Sequence, residues 1–392
     1  MYDVIIIGAG ASGLMAGAIL CNKNVLIIEK NSSAGKKLLI TGGGRCNLTN
    51  LKENNLFLNE IYNKKYLYST INNFGPKDVY NFFIEKGVEL KEEEDNKIFP
   101  LSNKSIDIVN CLVKLNKNIL YNNEVNNIEY KDNLFNVFVD NKKYSCKYLI
   151  IATGGISYQI TGSVGDYIKF ANIFKQPLID YYPAESKIEL IDYFNIPGTS
   201  IENVIVKAGK FKSSGNLMFT HNGLGGKAIM DISGEIYKNK IKEIYIDFLP
   251  SFNLEELINI FNSRKEEKIF NVLNDHFSKR FINYFLNYLN VENKKISSLS
   301  KSELNKIFDL IKNKCYQVNL NFNINNAYVT GGGIDLNYID TKTFQSKINN
   351  NLYFIGESLD VRGPIGGYNL TLAFSTGYSA SKSIIEKENI NV

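Results

Sequence analysis

Three glycines near the start of the chain, Gly8, Gly10 and Gly13, stand in G-x-G-x-x-G spacing, and an acid, Glu29, follows about twenty residues later. Residues of these types in this order bind the phosphates and ribose of a dinucleotide. Gly8 permits a tight turn, Gly10 lets backbone approach a pyrophosphate, and Gly13 lets a helix pack close on a strand. Glu29 is placed to accept hydrogen bonds from the ribose hydroxyls. The elements that must hold them in place are equally plain. Residues 4–7 are an apolar strand, residues 11–20 a helix, and residues 25–28 a second apolar strand ending at Glu29. The helix start offers unpaired N–H groups and the positive end of the helix dipole to phosphate.

A second glycine cluster lies in NSSAGKKLLITGGGRCNLTN, residues 31–50. Inside a helix or strand each of Gly42, Gly43 and Gly44 would cost about 1 kcal/mol against alanine. Three in a row suggest backbone packed directly on a ligand. Arg45 follows at once, a fixed cation able to fork onto phosphate oxygens.

With 392 residues, 44% hydrophobic and 22% charged, the chain has the composition of a soluble globular protein of two or three domains. Its formal net charge is only +5, spread along the chain, and no basic tail or nucleic-acid stripe stands out. The apolar start lacks the positive flank of a secretion signal. No apolar run approaches the roughly 18–20 residues of a membrane span. The five cysteines, Cys21, Cys46, Cys111, Cys146 and Cys315, are scattered and form no C-x-x-C pair, so a reducing cytoplasm is expected. With only two distant histidines and no cluster of cysteines or carboxylates, no metal site is expected.

Together GAGASGL (residues 8–14) and GKKLLITGGGRCNLTN (residues 35–50) closely resemble a family of bacterial FAD-binding flavoproteins. These are the NAD(P)/FAD-dependent oxidoreductases of the aminoacetone-oxidase type, among them a bile-acid dehydro-intermediate reductase. The resemblance implies that Gly43, Gly44, Arg45, Cys46 and Asn47 lie along the flavin and pyrophosphate. It counts Ala11, Ser12, Lys30 and Lys37 among the cofactor contacts as well. It places adenine at the backbone of Val125, and brings Thr153 and Gly154 to the dinucleotide. Near the end of the chain it sets Gly356 and Glu357 by the ribitol and pyrophosphate. The helix start at Gly367, Tyr368, Asn369 and Leu370 should face the pyrimidine edge of the flavin. A helix N-terminus is worth roughly 0.3–1 kcal/mol to the negative charge a reduced flavin carries there. Cys46 is read as a small packing residue rather than a redox thiol, having no second cysteine near it in sequence.

The segment ISYQITGSVGD (residues 156–166) is similar to the family's S-Y-P-x-T-G-S-x-G-D-G, but has Gln159 for proline and Tyr167 for glycine. FTHNGLGG (residues 219–226) is similar to another family segment, as is Phe99-Pro100. Tyr158 and His221 from these stretches, with Arg362 from the loop before the closing helix, are the three candidates for catalysis. His276, inside a helical run, is read as structural.

Between the markers, residues 51–118 read as mainly helical, with a solvated turn at 91–95, and residues 119–155 as a strand followed by a three-stranded meander. A helix is expected over 163–174. In the middle, strands are expected at 201–211, 217–219 and 243–248 and helices through 253–318, two of them opened by capping boxes at Asn253/Glu256 and Ser300/Glu303. A strand at 327 ends in a glycine loop, another covers 352–357, and a helix runs from about 367 to 386.

The expected fold is α/β: a discontinuous Rossmann-like FAD-binding domain, residues 1–185 and 326–392, with an inserted β-plus-helical domain. The insert, 186–325, divides into a β part (186–250) and a helical part (251–325) and is expected to act as lid and select the substrate. The expected function is flavin-dependent redox chemistry on a small organic molecule, either reduction of conjugated C=C bonds or oxidation of an amine. FAD binds non-covalently, and with no second G-x-G-x-x-G unit any NAD(P)H binds transiently as electron donor. The protein is expected to be cytoplasmic and to engage neither nucleic acid nor membrane; its oligomeric state stays open. The alternatives are a tRNA-modifying flavoenzyme and a non-catalytic flavin-binding or sensor protein.

Overall fold

The computed structural model describes residues 1–192 and 195–390. Its contacts divide the chain into two compact units, Met1–Tyr181 with Val329–Val392, and Tyr182–Tyr328.

The first unit is built on the opening strand, Tyr2–Ile7. Its residues Val4 to Ile7 are buried, which is why four consecutive apolar side chains are needed rather than an alternating pattern. This strand pairs in parallel with Val25–Ile28 on one side and Lys142–Ile151 on the other. Ile119–Leu120 continues the sheet beyond Val25–Ile28, and Leu352–Phe354 pairs in parallel on the far side of Lys142–Ile151. A strand from near the C-terminus thus joins one sheet with strands from the first 151 residues. The meander Asn127–Lys131, Leu134–Val139 and Lys142–Ile151 is antiparallel.

Two helices cross on this sheet at very short range. The fingerprint helix Ala11–Ile19 meets the closing helix Tyr368–Ile390 where Gly377 faces the Ser12 carbonyl; a Cβ on Gly377 would sit 2.5 Å from that oxygen. One turn further on, the Ser381 hydroxyl donates to the Ala16 carbonyl at 2.9 Å. Small residues here let backbone pack on backbone.

Residues 51–118 carry helices Asn54–Asn59, Tyr68–Asn73, Pro76–Glu85 and Ser105–Lys114. The charged run at 91–95 is not simply a turn. Leu90–Glu93 is a strand paired with Lys97–Pro100, and the turn is Glu94–Asn96, with Asp95 and Asn96 left-handed. None of its residues is fully buried, so charge is tolerated along it. Tyr167, at the position where the resembled family has glycine, buries its ring in the core at the start of the helix Asp166–Ile173.

The second unit is a six-stranded antiparallel sheet with helices. Its strand order is Ile188–Glu189, Gly223–Gly225, Phe211–Phe219, Ser200–Ala208, Glu243–Asp247, Lys314–Gln317. Three expectations need correction. The strand expected over 201–211 ends at Ala208, because Gly209 is left-handed and turns the chain back into Phe211–Phe219. Lys227–Lys238 is a helix that the sequence reading missed; its Ala228, Ile229, Ile232 and Ile236 lie buried on one face. The end of the expected helical run, Lys314–Gln317, is a strand paired with Glu243–Asp247. Both capping boxes form as expected: the Asn253 and Ser300 side chains accept from the N–H groups of Glu256 and Glu303.

The helix crossing yields a test. Gly377→Val should destabilise the first unit by about 1–3 kcal/mol through overpacking. Thermal unfolding would show this as a fall of several degrees in Tm, and an unchanged Tm would show that the two helices can separate freely.

Candidate cofactor site

The fingerprint glycines do different work. Gly8 is left-handed, φ 105°, and a Cβ on it would lie 2.5 Å from the Ala152 carbonyl; one on Gly13 would lie 2.0 Å from the Gly8 carbonyl. Both are therefore packing requirements, Gly8 against the end of the strand Lys142–Ile151 and Gly13 for the helix against the turn at Gly8. Gly10 is different: a Cβ there meets nothing within 4 Å. It faces open space in front of the helix N-terminus, where a phosphate needs room.

Glu29 is buried at the end of the second strand. Its Oε2 accepts from the Ala9 N–H at 2.8 Å, and its Oε1 from the backbone and side-chain N–H groups of Asn31 at 2.8 and 2.7 Å. A carboxylate has about four acceptor sites, so capacity remains for a ribose hydroxyl. Lys30 is ion-paired with Asp166 at 2.6 Å. Val125 is buried, and its carbonyl accepts from Lys169 Nζ at 3.2 Å.

In the second glycine cluster Gly42, Gly43 and Gly44 are all left-handed. A Cβ on Gly43 would also meet nothing within 4 Å. Arg45, expected at a phosphate, has partners within the protein. Its guanidinium donates to Glu93 and Asn103 and lies 4.2 Å over the Phe99 ring, bracing the loop against its neighbours. A partner on the adjacent hairpin, invisible in linear spacing, captures the cation. Cys46 is fully buried; desolvation pushes its thiol up to about 12, outweighing a hydrogen bond with Thr41 that acts the other way. It stays protonated and unreactive at neutral pH.

Lys37 and Glu357, 320 positions apart, form an ion pair at 2.5 Å. Lys37 also donates to the Ser157 hydroxyl at 2.7 Å. Glu357 Oε1 accepts from Ser157 Oγ at 3.1 Å and from the Thr330 N–H at 2.9 Å. The Thr330 hydroxyl accepts in turn from the backbone N–H groups of Ile156 and Ser157. Ser157 and Thr330 were not among the expected site residues. Their only sequence signal is adjacency: Ser157 follows Gly154-Gly155-Ile156, and Thr330 precedes three glycines. Gly356 is left-handed, and a Cβ there would lie 2.5 Å from the Ser12 hydroxyl, so this loop touches the fingerprint helix.

At the closing helix, Gly367 packs on Thr49 so tightly that a Cβ would lie 2.4 Å from its carbonyl carbon. The Tyr368 ring stacks on Phe57 at 4.6 Å. The Asn369 side chain staples the preceding loop, accepting from the Gly363 N–H and donating to the Gly363 carbonyl. With both side chains committed, the backbone N–H groups of the first turn, Leu370 included, are what this terminus offers a ligand.

Of the catalytic candidates, Arg362 and Tyr158 belong to the first unit and His221 to the second. Arg362 is buried; its guanidinium stands 4.6 Å over the Tyr62 ring, and its carbonyl accepts from the Tyr62 N–H at 2.8 Å. Tyr158 is half-buried and left-handed, and His221 is exposed in the turn before Gly223–Gly225. Among the described residues no group of three or more His, Cys, Asp or Glu gathers as for a metal. No helix among them is long and apolar enough to cross a membrane.

This arrangement separates two variants. Lys37→Met should lower flavin content on purification and reconstitution, because it leaves Glu357 unpaired beside Ser157. Arg45→Ala should leave flavin content near wild type and cost no more than about 1 kcal/mol, as expected for a partly exposed ion pair. Equal flavin loss in both would return Arg45 to the phosphate.

Residues 2–383 match the family described as HI0933-like protein, Rossmann domain. A ribosomal RNA dihydrouridine synthase of Haemophilus influenzae is 30% identical, covering 97% of this chain and 98% of that protein. The Escherichia coli ribosomal RNA dihydrouridine synthase is 28% identical over 98% of both chains. A 3-dehydro-bile acid delta(4,6)-reductase of Clostridium scindens is 26% identical, covering 99% of this chain and all of that one. Among solved structures, the Mycobacterium smegmatis Sdh1 complex in its apo form shares the fold with a TM-score of 0.51 at 13% identity, covering 99% of this chain and 68% of that one.

The residues present fit FAD. Open backbone at Gly10 and Gly43 leaves room for it. Two buried oxygens, Asn47 Oδ1 and Thr153 Oγ1, find no partner among the described residues and await one. Glu29 and the two helix starts would supply further acceptors and donors to it. The chain belongs to the HI0933-like Rossmann-domain family and is a flavin-dependent oxidoreductase.

Proposed function

We propose that this protein reduces a carbon–carbon double bond conjugated to a carbonyl, and that the bond belongs to a uracil ring in RNA. The observation that carries this reading is full-length likeness to relatives whose names share one kind of bond. Making dihydrouridine saturates the uracil 5,6 double bond, which is conjugated to a ring carbonyl. A 3-oxo steroid unsaturated at positions 4 and 6 presents the same electronic problem. The more identical relatives are the RNA-directed ones, which favours uracil; the bile-acid reductase favours a small dienone as second reading. None of these relatives supports amine oxidation.

Bound FAD, once reduced, supplies the hydride. Every other requirement falls to the chain. As hydride adds to the β-carbon, negative charge moves onto the carbonyl oxygen, and a fixed donor aimed at that oxygen lowers the barrier. Arg362, a buried cation held against Tyr62, is assigned that position. Its charge persists at any working pH. Tyr158 is the candidate acid for the α-carbon. NAD(P)H is the proposed electron donor; with no second dinucleotide fingerprint it would bind only transiently.

The test is anaerobic. NADH or NADPH should bleach the bound flavin, and adding ribosomal RNA lacking the modification should restore the yellow colour while uridine becomes dihydrouridine by mass. Arg362→Ala should slow reoxidation by about 10²–10³-fold with flavin content intact, and Arg362→Lys by less. Reoxidation by neither RNA nor a conjugated enone, with turnover of an amine instead, would refute the reading.

A further inference from the structure

We propose that one end of the six-stranded sheet, carrying Lys207, Lys210, Lys212, Lys238, Lys240 and Lys242, binds the phosphate backbone of RNA; this rests on the RNA reading above. All six lysines are exposed. The segments that carry them, 207–212 and 238–242, contain no Asp or Glu.

The fold brings the two segments together. Lys207 stands directly across from Lys212 in the hairpin of Ser200–Ala208 and Phe211–Phe219, and directly across from Tyr245 in Glu243–Asp247. Lys210 sits in the hairpin turn. A Cβ on Gly209 in that turn would lie 3.6 Å from Ile241, which places the turn beside the loop from Lys238 to Lys242. That loop leaves the end of the helix Lys227–Lys238 and leads into the strand beginning at Glu243.

Like charges directly opposite in a sheet destabilise it, yet the hairpin keeps Lys207 against Lys212. Among the described residues Lys207, Lys210, Lys212, Lys240 and Lys242 form no ion pair. The acids that border the patch are Glu235 and Glu243. Glu235 accepts from the Asn239 side chain; Glu243 accepts from the Tyr245 hydroxyl at 2.9 Å and from Gln317 at 2.8 Å. The partners of Glu243 are neutral, so it does not compensate Lys207, Lys210, Lys212, Lys240 or Lys242 at short range. Lys210 Nζ lies 5.4 Å over the half-buried Phe211 ring, and Tyr245 is half-buried beside Lys207. Lysines interleaved with aromatic faces suit a strand of phosphates with bases between them. The near-neutral total charge of the chain conceals this, because the patch is assembled from segments about thirty residues apart.

The experiment compares full-length holoenzyme with the triple variants K207Q/K210Q/K212Q and K238Q/K240Q/K242Q, and with K265Q/K301Q/K306Q, which removes three exposed lysines outside these segments. Binding of a fluorescent oligouridylate is followed by anisotropy across a KCl series. Each lost phosphate contact should reduce the slope of log K against log salt by about 0.7. Either patch variant should therefore lose about 2 from the slope and bind at least about tenfold more weakly at low salt, while the third variant follows wild type. Removing like charges should hold or raise Tm; if a triple variant fails to fold, K210Q alone should lower the slope by about 0.7.

Unchanged affinity and slope in both patch variants would overturn the proposal. So would binding to anionic phospholipid vesicles with none to the oligouridylate. Formation of dihydrouridine is measured separately on wild type, so a failure of the reduction reading shows in the product and a failure of the patch in the salt slope.

Discussion

Backbone packed on backbone is the constraint on which the first unit depends. At Gly13 against Gly8 and at Gly377 against Ser12 a single methyl group would collide with backbone, and at Gly356 it would collide with the Ser12 hydroxyl. The two contacts on Ser12 tie the first twenty residues to the last forty. A unit held this way is necessarily discontinuous: the middle of the chain has to leave after the meander and return before Leu352–Phe354 can join the sheet. The hydrophobic effect supplies most of the stability through the buried strands, but it is non-directional. The glycine contacts decide which helix faces which.

The same closure creates the polar part of the site. Lys37, Ser157, Thr330 and Glu357 come from four separate stretches and satisfy one another. A half-buried ion pair recovers its desolvation cost only when its remaining donors and acceptors are also satisfied, and here a hydroxyl and a backbone N–H complete it. Against this satisfied network, Asn47 Oδ1 and Thr153 Oγ1 stand out. Buried polar atoms usually have partners, so two that lack them, both in segments expected at the cofactor, fit a site completed by a ligand.

In the second unit charge follows a different logic. Ion pairs such as Lys312–Asp247 and Lys294–Glu303 brace the helices and the sheet. The lysines at the hairpin end are left facing water and one another. Net charge, summed over 392 residues, reports neither arrangement; only the pairing of strands shows which charges are neighbours.

The sequence by itself determined the elements that repeat a local rule. The strand–glycine–helix–strand–acid unit, the capping boxes at Asn253 and Ser300, and the buried strands all follow from spacing and residue type, because backbone geometry and periodic burial act within a few residues. It did not determine whom a side chain meets across the fold. Arg45 had the right chemistry for phosphate, yet a hairpin that reads as a charged turn places Glu93 beside it. Ser157 and Thr330 looked ordinary until Glu357 came within hydrogen-bonding distance, and six scattered lysines became one surface only when Ser200–Ala208 paired with its two neighbours. The tertiary structure decided these points because hydrogen bonds and charge interactions depend on distance in space, and contacts between residues hundreds of positions apart leave no period in the chain to read.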